Sequence, residues 1–239
     1  MSNIINKALA PVGLEIHRTT QQSTYVGMLE RLKRRGTKIT TVIDVGASDG
    51  RWSVQFASRQ AGHRHHLIEA RQAWEKDLRP LCAKRQWSYQ IKACGSAPGR
   101  LWFNSTDPLG GHLHPTQLTP KYSPIEVTSI DSEVERLQLP GPYLIKLDTH
   151  GVEVPILEGA LKTLQDTTIL IIECYNFSTP LPCLSFWAMC SWMESRGYRP
   201  VDMFDELYRD DGALWQMDIV FERMDSPVFE RATWLPPSR

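Results

Sequence analysis

The chain has 239 residues, enough to bury a sizeable core in one α/β domain or two small ones. Hydrophobic residues make up 41% and charged residues 23%, which is ordinary for a globular chain and wrong for a disordered one. Lys and Arg together number 27, as do Asp and Glu, so no global field argues for a nucleic acid or an anionic membrane as partner.

Five scattered cysteines, Cys82, Cys94, Cys174, Cys183 and Cys190, form no C-x-x-C pair and read as reduced thiols. No run of 18 apolar residues occurs, so no spanning helix is expected. The opening "MSNIINKALAPVGLEIHR" lacks a signal-peptide core. A cytoplasmic location is the expectation.

The first helix is predicted over residues 23–36, capped by Ser23 and ended by Gly36. A buried strand, Thr41–Val45, follows, with Asp44 inside it. Residues 50–60 suit a helix, with Trp52 and Phe56 on one face. "HHLIEA" is a second strand ending at Glu69, and 71–85 a second such helix. "SYQIKACG" gives a third strand ending near Cys94. Two strands, near 100–104 and 125–130, then flank a long Pro/Gly/His-rich loop. "YLIKLD" is a buried strand ending at Asp148, and 153–165 a helix with Leu157, Ala160, Leu161 and Leu164 as its stripe. "TTILIIE" ends at Glu173, 184–196 is helical, and "ALWQMDIVFER" alternates as one strand of a closing antiparallel pair.

Alternating strands and helices predict an α/β fold, with a mostly parallel sheet covered on both faces. Ligands in such sheets bind beyond the carboxyl ends of the strands. Asp44, Glu69, Asp148 and Glu173 gather at that rim. The turn "VGASDG" behind the first strand holds Gly46, Ser48, Asp49 and Gly50. It is no P-loop, because G-x-x-x-x-G-K-[ST] is absent. A dinucleotide fingerprint would need glycine at Ser48 and Arg51. S-adenosylmethionine has no phosphate and needs no glycine triplet. It needs a close turn, and carboxylates for its amino group and ribose, which Asp44 and Glu69 could supply. The competing bland reading has Asp44 capping the turn and Glu69 as a strand-end acid.

"VIDVGASDG", "LIEA", "VTSIDS", "LIKLDTHGVEVPILEGA", "ILIIEC" and "LWQMDIVFER" occur in the order of the FkbM-type S-adenosylmethionine-dependent methyltransferases, which the chain resembles over residues 40–223. The resemblance implies the class I methyltransferase (Rossmann-like) fold over 38–239, behind an N-terminal helical extension over 1–37. It implies O-methylation of a saccharide, glycolipid or natural product, without nucleic acid. The implied cofactor residues are Asp44, Gly46, Ser48, Gly50 and Glu69, and Asp49 and Cys94 are further cofactor-binding candidates. Lys146, Asp148, Gly151 and Glu153 match the second signature of the family. Ser48 stands where asparagine is usual, and His150 where an acid or amide is usual. A nicotinamide-dependent oxidoreductase and a non-catalytic interaction module are the alternatives.

Methyl transfer to a hydroxyl needs alignment and a base rather than a nucleophile. His150, in the turn after Asp148, is the predicted base, since imidazoles titrate near neutrality. Asp148 would orient it, while Lys146 and Glu173 face the acceptor. His112 and His114, in the long loop, are predicted acceptor contacts, with zinc a lesser reading. A variant has Asp148 and Glu173 holding Mg²⁺; the metal-free site is the expectation. "HRHH" over 63–66 reads as a polar strand entrance.

Overall fold

The computed structural model of the protein describes residues 9–12, 22–106, 111–177, 183–231 and 233. Much of the expected 1–37 extension therefore lies outside the described residues. Its described helix α1 (Tyr25–Arg35) ends on Gly36 at φ +66°. The cap is Thr24, whose hydroxyl accepts from the Gly27 N–H; Ser23 instead bonds across to Glu206.

The main sheet has seven strands. β1 (Thr41–Val45), β2 (Arg64–Glu69) and β3 (Ser88–Ile91) run parallel on one side. β8 (Tyr143–Leu147) and β9 (Thr167–Tyr175) continue it beyond β1, also parallel. β11 (Leu214–Arg223) lies antiparallel to β9, and β10 (Tyr198–Tyr208) closes the edge, giving the order β10-β11-β9-β8-β1-β2-β3. Mostly apolar runs with no alternation make the central strands β1, β8 and β9, as burial on both faces requires.

Each face carries its own core. Ile43, Ile145, Leu170 and Ile172 meet α5 (Glu153–Glu158) and α6 (Phe186–Glu194). Val42, Leu144, Ile171 and Val220 meet α1 and α2 (Arg51–Arg59). A third cluster seats α3 (Glu75–Arg85) beside β2 through Leu67, Leu78 and Cys82.

Four differences from the sequence expectations have identifiable physical causes. The strand foreseen over 88–95 breaks at Lys92, because Ala93–Cys94 (β4) leaves the main sheet to pair with β7 (Tyr122–Thr128). β7, β5 (Gly99–Asn104) and β6 (His112–His114) complete this second, four-stranded sheet, so the long loop contains strands. The strand expected near 125–130 stops at Thr128, and Ser129 caps an unforeseen helix, α4 (Ile130–Leu137), by accepting from the Ser132 N–H. The helix expected to 165 ends at Glu158. Gly159 presses on the Gly95 carbonyl, and the Asp131 carboxylate takes the Lys162 and Thr163 N–H groups that a continuing helix would have used. Leu161 is accordingly exposed.

The β1–α2 turn is set by contact. Gly46 adopts φ +77°, and a Cβ there would sit 1.9 Å from the Asp148 carbonyl oxygen. Gly36 shares the positive φ but faces open space. Gly36→Ala should cost only the left-handed backbone term, about 1–2 kcal/mol. Gly46→Ala adds a backbone collision and should lower stability well beyond that, read as the difference in urea midpoints; equal losses would show that the close approach is not needed.

Candidate active site

Strand pleating places Asp44, Lys146, Glu173 and Asp218 on the same sheet face as Val42, Leu144, Ile171 and Val220, one step nearer the end of the sheet where the parallel strands finish. Asp44 and Lys146 are register partners on adjacent parallel strands, and both are buried. Lys146 Nζ lies 3.4 Å from Asp44 Oδ1 and 2.9 Å from Asp148 Oδ2, and over the Trp52 ring at 5.6 Å. The Ser53 hydroxyl donates to Asp44 Oδ2 at 2.8 Å. Burial works against the ammonium, but Asp44 and Asp148 outweigh it and hold Lys146 above its ordinary value. Burial raises Asp44, with Lys146 and Ser53 pulling it back.

Across β9 and β11, Glu173 faces Asp218 as its register partner. Burial, then the charge of Asp148, pushes Glu173 up to about 7. Burial, then Glu173, pushes Asp218 up to about 8. Asp148 is held below the usual carboxylate range because Lys146 outweighs its desolvation. His150 Nδ1 lies 2.6 Å from the Tyr175 hydroxyl, which bonds in turn to Glu173 Oε1.

A cleft opens beside this cluster, beyond the ends of β1, β2 and β4. It brings together Gly46, Ser48, Glu69, Cys94, Asp148 and His150 of the predicted site residues. Glu69 Oε2 accepts from the Ser48 N–H at 2.8 Å and Oε1 from the Arg71 N–H at 2.7 Å. Each oxygen keeps a lone pair for a ligand. Burial raises its pKa, against those two bonds. Ser48 sits at φ +50°, a left-handed conformation that asparagine tolerates better, which accounts physically for the usual residue there. Burial pushes the Cys94 thiol up to about 12, so it lines the cleft as a neutral group.

Other predicted residues stand apart from the cleft wall. Asp44 lies wholly beneath the turn, and Gly50 packs against Leu81 and Leu67. Asp49 is paired with Arg51 at 2.7 Å. Lys146 and Glu173 belong to the buried layer behind Asp148. Gly151 and Glu153 shape the next turn, where the Gly151 N–H donates to Glu153 Oε1 at 3.0 Å. His114 Nδ1 accepts from the Thr116 N–H at 3.1 Å; the His112 side chain lies outside the described residues. His63, His65 and His66 do not converge: His63 meets the Ile39 carbonyl, His65 stacks on Trp87, and His66 meets Ser88. Among the described residues, the one group of side chains placed to hold a metal ion is Asp148, His150 and Glu173, with ligand atoms within 4.8 Å of one another. Sequence reasoning missed Ser53, Tyr175 and Asp218. Only Tyr175 carried a signal, two residues beyond Glu173 on the same strand face.

A parallel sheet with one reversed strand, order β10-β11-β9-β8-β1-β2-β3, and a glycine turn beside strand-end acids define the fold of the class I methyltransferases. The chain belongs to the FkbM methyltransferase family: the Methyltransferase FkbM domain matches residues 44–200. That family, as the sequence resemblance already implied, uses S-adenosylmethionine. A solved FkbM methyltransferase from Methylobacillus flagellatus KT shares the fold at 17% identity and TM-score 0.51, covering 75% of this chain and 43% of that one. This chain therefore spans under half of that relative's length. An uncharacterized Listeria monocytogenes protein is similar at 14% identity and TM-score 0.46, over 86% of this chain and 70% of that one. The 1,6-didemethyltoxoflavin-N1-methyltransferase of Burkholderia thailandensis is similar at 11% identity and TM-score 0.47, over 83% and 76%. No curated protein matches the chain. No helix among the described residues is long and apolar enough to cross a membrane.

The raised carboxyls make stability depend on pH in a definite direction. Glu173 and Asp218 keep protons in the folded chain that an unfolded chain releases above about pH 4, so stability falls as pH rises through about 7 and 8. His65, lowered to about 3 by burial, acts oppositely, but only below the about 6.5 of a free imidazole. Lys146, Asp148 and Asp205 set the remaining field at Asp218. Between about pH 6.5 and 8 the melting temperature should decline, and Asp218→Asn should flatten most of that slope. A wild-type slope in the variant would remove Asp218 from this role.

Proposed function

We propose that this chain transfers a methyl group from S-adenosylmethionine to a hydroxyl oxygen of a small acceptor, of the saccharide, glycolipid or natural-product class. The observation that carries the reading is that one cleft is lined together by Gly46, Ser48, Glu69, Asp148 and His150. An adenosyl sulfonium combines a diol, a charged amino-acid end and a flat base. The cleft offers matching chemistry: the free lone pairs of Glu69, the carboxylate of Asp148, and apolar walls at Trp74, Phe103 and Leu113. When bound, S-adenosylmethionine supplies an electrophilic methyl carbon whose bond to sulfur breaks with the electron pair staying on sulfur.

The chain's own work is to orient and to move a proton. Glu69 and the turn at Gly46–Gly50 hold the nucleoside end. The half-buried His150, in the β8–α5 turn, takes the hydroxyl proton as the acceptor oxygen forms its new bond to carbon. Asp148 stays ionised beside Lys146 and favours the imidazolium that results. The same side chains could ligate a divalent cation, but Lys146 Nζ already sits on Asp148, and the Tyr175 hydroxyl already links His150 to Glu173. The metal-free reading is therefore preferred here.

S-adenosylhomocysteine at about 100 times its Kd should stabilise the protein by about 2.7 kcal/mol in thermal unfolding, and NADH should not. The opposite pattern would replace the methyltransferase reading with an oxidoreductase one. His150→Ala should bind S-adenosylhomocysteine as the wild type does and lose about 10²-fold or more in turnover. A full rate in that variant, abolished by a chelator, would instead make the site a metal centre.

A further inference from the structure

We infer that Glu173 and Tyr175 form a hydrogen-bond relay that fixes the tautomer of His150, leaving its Nε2 bare toward the cleft as the base. The inference rests on the methyltransferase reading and deepens it by adding a positioning residue, Tyr175, that the sequence did not reveal.

Tyr175 has one hydroxyl proton and two neighbours. Its oxygen lies 2.6 Å from His150 Nδ1 and is hydrogen-bonded to Glu173 Oε1. Above about pH 7 Glu173 is ionised and can only accept, so there the phenol donates to it. His150 Nδ1 must then carry a proton and donate to the phenol oxygen. A neutral imidazole has one N–H, so Nε2 keeps its lone pair. Among the described residues Nε2 has no hydrogen-bond partner, and it is not a buried, unsatisfied atom. His150 itself lines the cleft.

The relay is held from both sides. Tyr175 is buried on β9, and its ring meets Trp215 edge-on at 6.1 Å. Trp215 stacks in turn on Phe177 at 5.6 Å. Glu173 lies 3.7 Å from His150 Nδ1, beyond a direct hydrogen bond, so the phenol closes a gap the carboxylate does not span. Asp148 and Glu153 are the other carboxylates whose charges couple to His150, and both favour its protonated form once the acceptor proton has moved to Nε2. That proton leaves the acceptor oxygen as the oxygen's electron pair forms the bond to carbon, and it passes later from Nε2 to water.

The test is ¹⁵N NMR of the His150 ring, with the full chain, at about pH 8.5 where a free imidazole is neutral. The wild type should show Nδ1 protonated and Nε2 bare. Glu173→Leu removes the acceptor, so the phenol must donate to Nδ1, and the tautomer should invert. Glu173→Gln still offers an oxygen to the phenol and should keep the wild-type tautomer. Tyr175→Phe should lower kcat about tenfold or more, with KM and S-adenosylhomocysteine affinity unchanged. Wild-type protein protonated at Nε2, a tautomer unmoved in Glu173→Leu, or unchanged kcat in Tyr175→Phe would each overturn the relay. The ring shifts need no acceptor. Expected shifts without methyl transfer to any hydroxyl would therefore overturn the methyltransferase reading alone.

Discussion

One buried ammonium organises the catalytic end of this sheet. Lys146 stands on β8 beside Asp44 on β1, with Asp148 beyond it, and Asp218 and Glu173 on the neighbouring strands. A lone lysine or a lone aspartate in such a layer would neutralise rather than stay charged. Together Asp44 and Asp148 hold the Lys146 ammonium charged, while Lys146 and Ser53 offset part of the burial that raises Asp44. Such an ion pair gives little net stability compared with apolar packing, and losing one member is costly. Its use here is geometric: it fixes β1 against β8 at the level where the cleft begins.

That fixed level is what lets the glycine turn work. The Asp148 N–H donates to the Val45 carbonyl, and Gly46 lies against the Asp148 carbonyl with no room for a side chain. The turn from β1 and the turn from β8 are therefore one rigid unit. Glu69 joins it from β2 by gripping the Ser48 N–H. The cleft itself carries Glu69 and Asp148 among its lining, and Asp148 also pairs with Lys146 behind it. A cation in the cleft meets the ionised Asp148 carboxylate, and this agrees with the chemistry proposed for His150.

How much of this was legible before the fold was known depends on the range of the signal. α4 could have been read: Ser129 precedes Asp131 and Glu133, which is a capping residue followed by acids in a first turn. The early end of α5 could not, since it depends on Asp131 arriving from another element to take two N–H groups. Asp218 was hidden for a similar reason. In an alternating strand its side of the ribbon reads as the solvent side, but β11 is covered there, and Val220 on that side is buried. The split of 88–95 into two strands in different sheets depends on β7 arriving to pair with Ala93–Cys94, which no local pattern announces.

The sequence by itself determined the fold class, the mostly parallel direction of the core strands and the rim where acids collect. Those follow from periodicity, glycine positions and residues at strand ends, all of which act within a few positions along the chain. Only the tertiary structure decided which acid meets which partner. It placed Asp44 under the turn with Ser53 and Lys146, gave Glu69 to the backbone of the turn, and set Tyr175 between His150 and Glu173. A carboxylate's role is fixed by the nearest proton donor and by its distance from water. Both are properties of strand register and layer packing, which bring together residues that no local pattern relates.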